Sequence, residues 1–63
     1  MTNNLKELRK KRQMTQVELA EKFGVTKEYI SIIERGAQTP GFKLANDIAS
    51  YFEVTVDELN FFY

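Results

Sequence analysis

Twenty-two residues, TQVELAEKFGVTKEYISIIERG (Thr15 to Gly36), leave little choice of fold. Thr15 and Glu18 have the spacing of a capping box, a hydroxyl reaching forward and a carboxylate reaching back. A helix from about Gln16 to Phe23 then buries Leu19, Ala20 and Phe23. Gly24 follows at once and suits the left-handed conformation that ends a helix. Thr26 can cap the next helix, from about Lys27 to Arg35, which buries Ile30 and Ile33 and ends at Gly36. The turn Gly24-Val25-Thr26 therefore brings two short helices face to face. Ala20 lies where they cross, and only a small side chain lets the backbones approach. Val25 plugs the corner.

Helical spacing continues on both sides of this tract. Leu5 and Leu8 mark a first helix, with Asn4 as its cap, Glu7 three residues on, and RKKRQM breaking the pattern. Thr39-Pro40-Gly41 is a turn. Phe42, Ala45, Ile48, Ala49 and Phe52 predict the apolar face of a fourth helix, with Leu44 at its edge. Thr55-Val56-Asp57-Glu58 is a second capping box and opens a short fifth helix with Leu59. Val54-Thr55-Val56 is the one β-like stretch, too short to pair usefully. The expectation is an all-α, compact, five-helix single domain over residues 1–63, with an aromatic tail at about 59–63.

The 63 residues include no cysteine and no histidine. That removes disulfides, thiolate metal sites, the usual general base and the commonest metal ligand. No nucleophile–base pair, metal cluster or phosphate loop stands out, and neighbouring Asp57 and Glu58 are better explained by capping than by acid–base chemistry. Neither an enzyme, a cofactor, a metal nor a small-molecule ligand is expected. MTNNLKELRK lacks the apolar core of a secretory leader, and no apolar run approaches the ~20 residues of a membrane span. A cytoplasmic protein fits these features.

Net charge is zero but unevenly spread. Residues 1–35 hold eight Lys/Arg against five Asp/Glu, a net of +3, and residues 36–63 hold one against four, a net of −3. The basic half either has a polyanion partner or reflects the ordinary scatter of charge on solvated helices.

TQVELAEKFGVTKEYISIIERG resembles the helix-turn-helix of the lambda-repressor-like family, also called the Cro/CI or XRE family. The likeness extends to LKELRKKRQM before it and PGFKLANDIASYFEVTVDEL after it, nearly the whole chain. The resemblance implies five helices, with the third lying in the major groove of double-stranded DNA, usually as a symmetric dimer. The function it implies is a sequence-specific transcriptional regulator, most simply a repressor on a palindromic operator. The alternative is an antitoxin or protein-interaction module on the same fold. A toxin-neutralising segment is usually extra chain, and none is visible in these residues.

The resemblance also assigns roles. Residues near the start of the third helix reach base edges: Lys27 toward guanine, Glu28 toward cytosine N4, then Ser31. Glu28 has a second reading, as a first-turn carboxylate favoured by the helix dipole. Ile32, one turn beyond Glu28, is apolar where the family usually has a polar residue. It either meets a thymine methyl or is a lone exposed isoleucine. Gln16 is the family's phosphate-bonding glutamine, or an ordinary residue at a helix start. Lys10, Lys11 and Arg12 form a phosphate clamp or a solvated helix end. Thr26, Arg35, Gln38 and Lys43 are further phosphate candidates, and Tyr29 either offers its hydroxyl to a phosphate or packs at the core rim. Arg9 and Glu34 are the family's partly buried ion pair. Phe61, Phe62 and Tyr63 serve a dimer interface or fold back to thicken a small core.

Overall fold

The computed structural model describes residues 3–59 and residue 61. Its helices run in the order α1 (Leu5–Lys11), α2 (Gln16–Phe23), α3 (Lys27–Glu34), α4 (Phe42–Phe52) and α5 (Val56–Leu59). No strand occurs among the described residues. The all-α, five-helix architecture read from the sequence is the one observed.

Side-chain caps set three of the helix starts. The Thr15 hydroxyl accepts from Glu18 N at 3.1 Å, and Thr15 N donates to the Glu18 carboxylate at 2.8 Å. The same box opens α5, with Glu58 N on Thr55 Oγ1 at 3.2 Å and Thr55 N on Glu58 Oε1 at 2.9 Å. Thr26 caps α3 by accepting from Tyr29 N at 3.1 Å. The start of α1 departs from expectation. Asn4 precedes the helix but makes no side-chain cap. Its amide donates instead to Glu58 O at 2.6 Å, and Asn3 Oδ1 takes the Leu5 N–H at 3.0 Å. Two adjacent asparagines competed for one cap, and the nearby end of α5 claimed the second.

The first four helices stop by one device. Gln13, Gly24, Gly36 and Glu53 adopt φ of 57°, 68°, 74° and 58°. In each case the next N–H turns back to a carbonyl five residues earlier: Met14 to Arg9, Val25 to Ala20, Ala37 to Ile32, Val54 to Ala49, at 3.0–3.1 Å. RKKRQM thus breaks its pattern without a glycine.

One core joins all five helices. Leu5, Leu19, Ile30, Ile33, Ala45, Ile48 and Leu59 are fully buried, and Ala20 is 3 % exposed. α2 packs directly on α3. Phe42 corrects the expected face of α4, because it is 73 % exposed. It stands at the first position of the helix, three residues before Ala45. Pro40 and Phe61 close that end of the core instead, with Thr39 Oγ1 donating to Phe61 O at 3.4 Å.

Candidate nucleic-acid interface

The C-terminal turn of α3 is held by α1 and α2. Arg9 Nε donates to Glu34 Oε2 at 2.7 Å and Nη2 to Oε1 at 3.2 Å. Arg9 Nη1 donates to Met14 O at 2.8 Å, and Gln16 Nε2 donates to Glu34 Oε1 at 3.0 Å. The two charged side chains are only 9 % and 3 % exposed. Among the described residues no buried side-chain nitrogen or oxygen lacks a partner. The arrangement is therefore a satisfied polar network, which fixes geometry where a lone buried charge would be costly. Gln16 is drawn into it, so its side chain is already oriented at the start of α2.

The opposite side of α3 faces outward. Ile30 and Ile33 turn into the core, whereas Lys27, Glu28 and Arg35 are exposed and Ser31 and Ile32 are half-buried. Ile32 stands outside both the core cluster and the apolar side chains packed against it. Arg35 leans back along the helix, its Nε donating to Ser31 O at 3.4 Å. Tyr29 is half-buried and packs on the core. The Thr26 hydroxyl is used as an acceptor by its cap and retains its O–H to donate.

The phosphate candidates separate into groups. Lys10, Lys11 and Gln38 are exposed. Lys43 is exposed and pairs with Asp47 at 3.3 Å, a surface contact of little strength. Arg12 is engaged elsewhere. Its guanidinium lies 4.9 Å from the Tyr51 ring centroid and 5.1 Å from that of Phe52, and Nη2 is 3.8 Å from Glu53 Oε1. Stacking on α4 competes with a place in the clamp, because the planar cation gains more over two rings than an exposed ammonium would.

The tail also divides. Phe61 is 6 % exposed and belongs to the core cluster, the position the fold-back alternative expects of this ring. A small core gains more from burying a phenyl ring internally than from leaving it for a partner. Phe62 and Tyr63 lie outside the described residues.

A helix-turn-helix family model matches residues 5–59, which span all five helices. The chain belongs to the Cro/CI-type helix-turn-helix family. That family comprises DNA-binding transcriptional regulators, not enzymes. This helix-turn-helix chain is 40 % identical over 62 residues to an uncharacterised HTH-type transcriptional regulator of Archaeoglobus fulgidus, covering 98 % of the chain and 87 % of that protein. It is 41 % identical over 59 residues to another from Methanocaldococcus jannaschii, covering 94 % and 89 %. The HTH-type transcriptional regulator SinR of Bacillus subtilis is 39 % identical over 56 residues, 87 % of this chain and half of SinR.

Two contributors to the helix-turn-helix framework escaped the sequence reading. Asn3 Nδ2 donates to Ile33 O at 2.7 Å, and only the Asn3-Asn4 pair before α1 hinted at it. Tyr51 gathers Arg12, Lys22 and Phe23 around its ring and donates its hydroxyl to Met14 Sδ at 3.4 Å. Its position beside Phe52 at the edge of the apolar stripe was the available signal.

Proposed function

We propose that this protein is a repressor that binds a palindromic operator in double-stranded DNA as a homodimer, in the cytoplasm. One observation carries the reading. α3 is anchored through Glu34 to Arg9 and Gln16, while Lys27, Glu28, Ser31 and Ile32 are left on its outward side. A helix held from behind, with polar and apolar groups in front, suits insertion into a major groove. Lys27, Glu28, Ser31 and Ile32 would meet base edges. Gln16, Lys10, Lys11, Thr26, Arg35, Gln38 and Lys43 would meet phosphates, with Tyr29 offering its hydroxyl at the rim. The N-termini of α2 and α3, capped by Thr15 and Thr26, would meet the phosphate backbone, since the N–H groups left free there favour anions.

Selection of bound duplexes from a random pool tests the whole reading. The expected product is a palindrome with half-sites one turn, about 34 Å, apart. Enrichment of no sequence over the input pool would sink sequence-specific binding, and a single unrepeated half-site would sink the dimer.

A further inference from the structure

We propose that Asn3 is a positioning residue for the reading helix, an inference that rests on the DNA-binding role proposed above. Its side chain bridges two helices. Oδ1 accepts from Leu5 N at the start of α1 at 3.0 Å, and Nδ2 donates to Ile33 O at the end of α3 at 2.7 Å. The Ile33 carbonyl also accepts from Gly36 N at 2.9 Å. Carbonyls in the last turn of a helix point along its axis and lack intrahelical donors. Asn3 therefore grips α3 along its axis, whereas Arg9 and Gln16 grip the next residue, Glu34, through its side chain. Two holds of different direction on successive residues resist tilting, and a single one acts as a pivot.

The tilt matters because the helix is read at its other end. Lys27 lies seven residues before Glu34, about 10 Å along the axis. A rotation of roughly 10° about the C-terminal turn moves that end by about 2 Å, well beyond the tolerance of a base-edge hydrogen bond. Asn4 provides the contrast. Its side chain donates to Glu58 O at 2.6 Å and its backbone N to Leu59 O at 3.1 Å, so it ties down α5 and leaves α3 alone. The two asparagines divide the work.

Asn3→Ser separates the two halves of the bridge. Serine keeps an oxygen for Leu5 N but is too short to reach Ile33 O. Asn4→Ala is the control. Amide exchange at Gly36 and Ala37 is read on the free protein, and specific and non-specific DNA affinities are read with the selected duplex and a scrambled one. Asn3→Ser should quicken exchange at both amides about five-fold, the worth of one net hydrogen bond. Specific affinity should fall by a similar factor with non-specific affinity unchanged, and Asn4→Ala should alter neither. Unchanged exchange overturns the proposal. Faster exchange with an unchanged affinity ratio also overturns it, since the contact would then be structural only, as does an equal loss of ratio in Asn4→Ala. A wild type with no preferred duplex sinks the DNA reading instead, and the exchange still decides whether Asn3 holds α3.

Discussion

Arg9 and Glu34, 25 residues apart, meet in a two-pronged pair inside the protein, at 2.7 and 3.2 Å. Each remaining polar group has a use, since Arg9 also reaches Met14 O and Glu34 also receives Gln16. Removing one partner leaves a buried charge alone. Arg9→Ala or Glu34→Ala should each cost about 3–5 kcal/mol in urea unfolding. A well-packed Arg9→Met/Glu34→Leu double variant should lose far less than the sum. Additive losses would show that the pair carries no coupling.

Gly24 and Gly41 both have open space where a Cβ would go, but only Gly24 has a positive φ, +68°. Gly41 sits at φ −66°, which any residue adopts. Gly24→Ala should therefore lower stability by about 1 kcal/mol from backbone strain alone. Gly41→Ala should be neutral or gain up to about 1 kcal/mol by restricting the unfolded chain. Thermal melts of the two variants side by side would expose equal effects, which would contradict the backbone argument.

The Thr55 backbone N–H, and then its hydroxyl, hold the Glu58 carboxyl below the usual glutamate range. A depressed value in the folded state means stability that is present above the unfolded value and is lost as pH falls through the folded one. The cap on α5 should weaken on acidification into that window. An NMR titration of the Glu58 side chain reads it directly, and Thr55→Ala, which removes the hydroxyl but keeps the backbone N–H, should bring the midpoint only part of the way back up. A midpoint indifferent to Thr55→Ala would leave the whole shift to the backbone N–H and remove the hydroxyl from the account.

DNA binding should depend steeply on salt despite the zero net charge. Neutralising six phosphates per dimer gives a slope of log K on log salt of roughly −5. Lys10→Ala or Lys11→Ala should each reduce that slope by about 2 in a dimer. Arg12→Ala should leave the slope nearly unchanged and lower stability instead, because the guanidinium lies over Tyr51 and Phe52. A titration in which Arg12→Ala flattens the slope as much as Lys10→Ala would return it to the clamp.

Ile32 stands outside the core, so Ile32→Ala should leave the fold intact. It should cost specific binding of order 1 kcal/mol, concentrated at one base pair per half-site, if the side chain meets a thymine methyl. Replacing that thymine with uracil should reproduce the loss in the wild type and add nothing in the variant. Uracil substitutions that never distinguish the two proteins would make Ile32 an ordinary surface residue.

The sequence by itself determined the local events. Thr15, Thr26 and Thr55 stand where three helices begin, and Gly24 and Gly36 where two end, because caps and left-handed stops depend on residues only a few positions apart. The apolar spacing of α2 and α3 likewise marked Leu19, Ala20, Ile30 and Ile33 as core, and the resemblance named the outward residues of α3. Where several partners compete for one group, only the tertiary structure decided. Gln13 and Glu53 end helices in a left-handed conformation that non-glycine residues disfavour, with Met14 N and Val54 N turned back to the Arg9 and Ala49 carbonyls. Asn4 gave up its cap to α5, and Asn3 reached 30 residues away to α3. Arg12 lies over the rings of Tyr51 and Phe52, Phe42 is left exposed, and Phe61 is buried in the core. Each of these outcomes turns on which distant surface arrives first at a shared atom or void. Spacing along a chain does not encode that distance.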